Sequence, residues 1–225
     1  MGLSLHVVSG LGREFYFLLN SEIDHIQRVL RRGGFYEREE LELIAEHARS
    51  PRWILDVGSN IGNHAIYFAH RFNPDHLAVV EPNPEIINLL RANLGMNWHK
   101  SMDLTYVGSG LSDRAGQGES YVTVRSNIGG AKLKHTDDGK IPIYRGDDIF
   151  PTEAFDLIKI DVEGMEFQVL LGMEALLNRS SGLVFLEVLL PNIDRAISMM
   201  RDVGYEYEVS YQRYGRCTNL LFLKP

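Results

Sequence analysis

Four short segments of this 225-residue chain combine residue types and spacings that could do chemistry. The first is Asp56-Val57-Gly58-Ser59-Asn60-Ile61-Gly62-Asn63. Its glycines permit a sharp turn and close approach of a ligand to the backbone, and a helix starting beyond it offers free N–H donors. The fingerprint Gly-x-Gly-x-x-Gly, expected where a pyrophosphate is cradled, is absent. Asp56 would repel a phosphate and welcome an ammonium, which leans towards an amino-acid-bearing, cationic nucleoside rather than NAD. The second is Glu81-Pro82-Asn83-Pro84, about one strand–helix–strand unit further on. A carboxylate there can accept hydrogen bonds from both hydroxyls of a ribose, or serve as a surface acid near the next helix, which Pro84 begins. The third, Gly108-Ser109-Gly110-Leu111-Ser112-Asp113, is small enough to admit a flat adenine ring near Ser112 or Asp113, or is an ordinary turn.

The fourth segment is Lys159-Ile160-Asp161-Val162-Glu163-Gly164-Met165-Glu166. Alternation places Lys159, Asp161 and Glu163 on one side unless the strand has already ended. Acids leaving the end of a central strand are costly unless solvated, paired or used. Glu187 follows the apolar run Leu183-Val184-Phe185-Leu186 in a comparable place. Convergence of Asp161, Glu163 and Glu187 would supply a general base, a clamp on a substrate hydroxyl or a hard-metal site; the alternative is an acid paired with Lys159 or a nearby Arg. His64 is either an orienting group for this region or a satisfied structural residue. The eight histidines show no His-Glu-x-x-His spacing.

These segments need a scaffold that brings strand ends together. Trp53–Val57, Leu77–Val80, Leu104–Val107, Phe155–Ile160 and Leu183–Val188 read as strands. Between and after them Asn63–Phe72, Glu85–Leu94, Met165–Asn178 and Ile193–Val203 read as helices. Ser120–Arg125 and Ile141–Arg145 read as strands around a polar loop, Ser126 to Lys140, which forms a solvated hairpin or a lid. Tyr205–Tyr211 and Leu220–Leu223 read as a closing antiparallel hairpin. Near-continuous Val/Ile/Leu strands alternating with helices mean an α/β fold with a mostly parallel sheet covered on both faces. Ligands of such sheets bind beyond the carboxyl ends of the strands, where all four segments fall.

Residues 1–50 read as a helical segment preceding one compact unit, residues 51–225. Ser21 with Asp24 resembles a capping box, and Ile23, Ile26 and Leu30 share a helical face ended by Gly33-Gly34. Leu41, Ile44, Ala45 and Ala48 form a second face, stopped by Pro51. The pair either packs on the core or forms a lid, with Phe35 and Tyr36 as substrate contacts.

Composition narrows the function. A formal charge of −7 argues against a general grip on nucleic acid, and no apolar run is long enough to span a membrane. The single cysteine, Cys217, cannot form an internal disulfide, and the N-terminus lacks a signal-peptide pattern. A soluble, cytoplasmic protein is expected.

Together the segments resemble the FkbM family of S-adenosylmethionine-dependent methyltransferases. The resemblance is carried by LDVGSNIGNHAIYFA (Leu55–Ala69), VEPNPEIINLLRANL (Val80–Leu94), Gly110–Asp113, NIGGAKL (Asn127–Leu133), Gly146–Ile149 and IKIDVEGMEFQVLLGME (Ile158–Glu174). Ser59 stands where many relatives carry Ala. The resemblance implies a class I methyltransferase fold: a Rossmann-like, seven-stranded sheet with an antiparallel last strand. It places the methionine moiety on Asp56, Gly58, Asn60 and Gly62 with Asn63 adjoining, and the ribose on Glu81 beside Pro82 and Asn83. Ser112 and Asp113 would line the adenine side, and Asp161 would border the cofactor.

The implied reaction is methyl transfer from S-adenosylmethionine, leaving S-adenosylhomocysteine, to a hydroxyl of a sugar or secondary metabolite. The expected acceptor is a small molecule or glycan, with no nucleic acid and no membrane involved. Asp161 or Glu163 is expected as the base, with Glu187 and His64 orienting. A divalent cation on Asp161 and Glu187 is the less favoured alternative. Competing functions are a non-catalytic S-adenosylmethionine-binding module acting through a partner and an NAD-dependent oxidoreductase.

Overall fold

Residues 2–122, 130–212 and 215–225 are described by a computed structural model of the chain. It opens with two strands that the sequence reading lacked, β1 (Ser4–Gly10) and β2 (Arg13–Leu19), paired antiparallel. They turn through Leu11 and Gly12, both at positive φ, the conformation a tight two-residue hairpin demands. In β2 the side chains of Phe15, Phe17 and Leu19 are buried. The same alternation is masked in β1, where Leu5 and Val7 are exposed apolar residues.

Two short helices follow. α1 (His25–Leu30) is capped by Asp24, whose carboxylate accepts from Gln27 N at 3.0 Å. Ser21 is not the cap; its Oγ accepts from Asp24 N at 3.0 Å and fixes the capping residue instead. Leu30 is buried, but Ile23 is 52% exposed, so the expected apolar face is divided between core and surface. α2 (Arg38–His47) buries Leu41 and Ile44.

The expected strand–helix alternation then unfolds as β3 (Trp53–Val57), α3 (Asn63–Phe72), β4 (His76–Val80), α4 (Ile87–Met96) and β5 (Met102–Asp103). The third strand is earlier and shorter than Leu104–Val107. Asp103 Oδ1 accepts from the N–H and hydroxyl of Thr105, an Asx turn that ends it. Next come β6 (Gly110–Leu111), β7 (Gly116–Val122), β8 (Ala131–His135), β9 (Ile141–Tyr144) and α5 (Gly146–Ile149). β7 begins before the expected Ser120, while residues 123–125 of that expected strand and 126–129 of the polar loop lie outside the described residues. Within the remainder of the loop, β8 joins a four-stranded sheet in the order β6-β9-β7-β8.

The chain finishes with β10 (Leu157–Ile160), α6 (Glu166–Gly172), α7 (Glu174–Arg179), β11 (Gly182–Leu189), α8 (Ile193–Asp202), β12 (Glu206–Tyr211) and β13 (Cys217–Lys224). The expected single helix over Met165–Asn178 is two. It breaks at Gly172, where an added Cβ would sit 2.0 Å from Ser112 O; the chain is pressed too tightly there for any side chain.

The main sheet has seven strands in the order β12-β13-β11-β10-β3-β4-β5. β13 runs antiparallel to both neighbours and the other described pairs are parallel, the class I arrangement expected. Alternate strand residues feed two cores. Ile54, Leu77, Leu157 and Leu183 face the hairpin, α3 and α4, whereas Leu55, Ala78, Ile158 and Val184 face α6, α7 and α8.

The N-terminal hairpin is tied to this body by two asparagines one turn apart, Asn93 in α4 and Asn97 capping its end. Asn93 Oδ1 accepts from Leu18 N at 2.7 Å. Asn97 accepts from Tyr16 N at 2.9 Å and donates to Tyr16 O at 2.7 Å. Side-chain amides thus complete the outer edge of β2, groups that would otherwise be buried unpaired or offered to another strand.

Candidate active site

A cavity of about 560 Å³ opens at the carboxyl ends of β3, β4, β10 and β11. One side of it is built around a backbone turn. Gly58, at φ +81°, lies so close to the turn after β10 that a Cβ would approach Asp161 O to 1.8 Å. Only glycine lets these two turns touch. The chain then rises through Asn60, also left-handed, whose N–H donates to Glu81 Oε2 at 2.8 Å. Asn83 N donates to Glu81 Oε1 at 2.8 Å. Both oxygens of this nearly buried carboxylate are therefore oriented before any ligand arrives. Burial pushes its pKa up to about 7, against the pull of those two N–H groups. Beside it Pro82, Leu111 and Leu133 supply apolar walls.

The opposite side is acidic. Asp161, Glu163, Glu187 and Glu37 all line the cavity. β10 has ended before Asp161, so alternation does not place the first two; a turn does, with Glu163 left-handed and followed by Gly164 at φ +98°. Beneath them Lys159 is 2% exposed. Its Nζ donates to Gly58 O at 2.7 Å and stands 3.4 Å from Asp161 Oδ2 and 3.5 Å from Asp56 Oδ1. Burial opposes its charge, yet Asp161, Asp56 and Glu37 outweigh that and hold it above the ordinary lysine range.

Glu37 escaped the sequence reading because an acid just before a helix passes for a dipole partner. The adjoining Phe35-Tyr36 turn was the available signal. Tyr36 lines the cavity, whereas Phe35 is buried edge-on against Phe15, Phe17 and Tyr67. Glu37 stands at φ +55° as the residue leading into α2. Its Oε2 lies 3.3 Å from His64 Nε2. Burial pushes Glu37 up to about 8, reinforced by Asp161 and Glu40 and opposed by Lys159.

Several expected contacts lie behind the cavity rather than on it. Asp56 is fully buried, paired with Lys159 beneath the Gly58 turn, and burial raises its pKa. Gly62 begins α3 and packs against Leu90 and Leu94. Asn63 uses its whole amide on the backbone of Tyr36, accepting from N at 3.0 Å and donating to O at 2.9 Å. It thereby positions the turn carrying Tyr36 and Glu37. His64 is enclosed against Phe68 and kept neutral by burial, then by Lys159. Asn83 holds Glu81 from below. Ser112 is buried, donating to Asp113 Oδ1 at 3.0 Å, while Asp113 is exposed; neither lines the cavity. Among the described residues no three His, Cys, Asp or Glu side chains are grouped to hold a metal ion.

Burial lifts Glu163 to about 7, helped by Asp161 and Glu166 and opposed by Lys132 and Lys159. It lifts Glu187 to about 9, helped by Asp161, Glu37 and Glu163 and opposed by Lys159. The site thus offers an oriented pair of oxygens on one side and proton-holding carboxyls on the other.

Comparison with known proteins places the chain in a family. Residues 56–207 match the Methyltransferase FkbM domain. The hexuronic acid methyltransferase AglP of Haloferax volcanii is 28% identical over 169 residues, 74% of this chain and 66% of that protein. The chain thus spans just under two thirds of that relative's length. Among solved structures, the precorrin-6y C5,15-methyltransferase of Geobacter metallireducens superposes with a TM-score of 0.54 at 13% identity, covering 85% of this chain and 90% of that one. An FkbM methyltransferase of Methylobacillus flagellatus gives 0.51 at 19% identity over 76% of this chain and 44% of its own. With the domain match extending over most of the sheet and both sides of the cavity, the chain belongs to the FkbM methyltransferase family.

Proposed function

We propose that the protein transfers a methyl group from S-adenosylmethionine to a hydroxyl of a sugar or secondary-metabolite-type small molecule. The observation that carries this is the Glu81 carboxylate, held by Asn60 N and Asn83 N at the rim of a cavity of small-molecule size. A fixed pair of acceptors suits the two adjacent hydroxyls of a ribose. Pro82, Leu111 and Leu133 offer a surface for a base, and Gly58 admits the remainder close to backbone. The similarity to a hexuronic acid methyltransferase supports a sugar acceptor.

S-Adenosylmethionine supplies a methyl group already activated by its sulfonium. The chain's own work is to align the acceptor oxygen and take its proton. We assign that proton to Glu163 or Asp161. Glu163, lifted towards neutrality by its surroundings, suits a base at physiological pH. Glu187 lines the same cavity and orients the acceptor hydroxyl through a hydrogen bond. His64 acts at one remove, behind Glu37.

Calorimetric titration with S-adenosylhomocysteine tests the cofactor, and a panel of hexuronic acids, neutral sugars and phenols tests the acceptor. Glu81→Ala is expected to weaken cofactor binding roughly a hundredfold, about 2.7 kcal/mol, in a protein that remains folded. Unchanged affinity in that variant would remove the ribose assignment; no binding to the wild-type protein would remove the proposal.

A further inference from the structure

The acid wall exceeds what a single base requires. Glu37, Asp161, Glu163 and Glu187 come from the turn before α2, the turn after β10 and the body of β11, and all reach the one cavity. The cation beneath them, Lys159, is already shared between Asp161 and Asp56. Lys132 on β8 opposes the charge of Glu163. A side chain buried to more than nine-tenths also points into the wall from behind: His64 aims Nε2 at Glu37 Oε2 from 3.3 Å without a hydrogen bond. The His64 ring is held neutral and brings no charge of its own. Glu37 also occupies a left-handed backbone conformation unfavourable to a residue with a Cβ, a cost associated with functional positions. It lies outside the region matching the family domain.

Resting on the methyltransferase reading, we infer that this wall is the counter-charge for the donor's sulfonium, through which the protein holds the cationic donor more tightly than the neutral thioether product. Glu37 makes the N-terminal segment part of that discrimination. The segment is well placed for it, since Asn63 pins Tyr36 at both backbone groups immediately before Glu37.

A cation entering the wall favours ionised carboxyls. Glu37, near 8, faces Asp161, Glu40, Lys159, His64 and the Tyr36 hydroxyl, which hydrogen-bonds to it. Glu187, near 9, faces Asp161, Glu37, Glu163, Lys159 and Cys217. Both hold protons at neutral pH in the empty protein. Donor binding therefore releases protons that product binding does not, and donor affinity gains on product affinity as pH rises through about 7 to 9.

The experiment is calorimetric titration of the full chain with S-adenosylmethionine and, separately, S-adenosylhomocysteine at about pH 6.5 and about pH 9, in buffers of different ionisation enthalpy. Three variants are compared: Glu37→Gln, Glu187→Gln, and Glu42→Gln on the exposed face of α2, which makes the same carboxyl-to-amide change outside the cavity. The ligands' own titration is common to all. The donor-to-product affinity ratio should rise with pH in the wild type and in Glu42→Gln. In Glu37→Gln it should fall by about tenfold at the higher pH, a modest share of one charge at an effective dielectric near 20. Glu187→Gln should move it in the same direction, and it decides the matter if Glu37→Gln does not fold by circular dichroism. Both ligands bound, with a ratio indifferent to pH or unchanged in the folded cavity variants, overturns the inference and leaves the methyltransferase reading standing. Binding of neither ligand overturns both.

Discussion

The two sides of the cavity are made differently. The Gly58–Glu81 side is local and rigid: a glycine that only close backbone contact explains, and a carboxylate gripped by two N–H groups. The acid side is assembled from three distant parts of the chain, and its glutamates Glu37, Glu163 and Glu187 are lifted towards or above neutrality by burial and neighbouring acids. One side provides a shape fixed by local backbone contacts. The other provides a cluster of acids that raise one another's pKa. A site that must hold a ligand firmly and also handle a proton has reason to separate the two tasks.

The strongest way to break this comparison is to remove what makes the acid side tolerable. Lys159→Met leaves Asp56 and Asp161 facing each other with no cation between them. Denaturant unfolding should show a loss of about 3–5 kcal/mol. A loss below about 1 kcal/mol would mean that Lys159 is not what makes the acid side tolerable.

Glu163→Gln sharpens the division of labour. Turnover should fall by roughly a hundredfold or more while S-adenosylhomocysteine affinity barely moves. Near-normal turnover would take Glu163 off the proton path and leave Asp161 there.

Asn63→Ala cuts the link between α3 and the turn carrying Tyr36 and Glu37. It should cost about 1–2 kcal/mol, as for other lost buried hydrogen bonds. Amide exchange should quicken in residues 35–38 more than in β3, and uniform protection would show that the segment is held elsewhere.

The remaining test is a slope, cumulative over several pH units and spread over several groups. Glu37, Glu81 and Glu187 have folded pKa values above the ordinary carboxyl value of 4.5. The native state therefore binds more protons than the unfolded one between about pH 4.5 and 9. The stability each group contributes is present below the unfolded value and is lost as pH rises through the folded one. For each group the slope is at most about 1.4 kcal/mol per pH unit. Unfolding free energy of the cofactor-free protein should decline from about pH 5 to about pH 9, less steeply in Glu187→Gln. Rising stability over that range would contradict the acid side as described.

The legibility of the molecule follows the same division. β3, α3, β4 and the α8-β12-β13 ending were readable because their signals are short-range: apolar runs of strand or helix period, bounded by turn residues. The Gly58 turn and Glu81 were readable for the same reason. β1 was not, since Leu5 and Val7 are exposed and hide its alternation. β2 was not either, although Phe15, Phe17 and Leu19 mark one face, because its edge is completed by Asn93 and Asn97 from far along the chain. Ile23 shares a helical face with Leu30 in sequence, yet only Leu30 found a partner to bury it.

By itself, then, the sequence determined the main strand–helix alternation from β3 onward, the turn that needs glycine and the carboxylate at the end of β4, because each depends on torsional and periodic preferences within a few residues. Tertiary structure alone decided that Asp56 lies under the cavity and not in it, that Asn63 and His64 serve Tyr36 and Glu37, and that Glu37 enters the site at all. Burial and electrostatic neighbourhood are properties of which segments meet, and no local spacing encodes them.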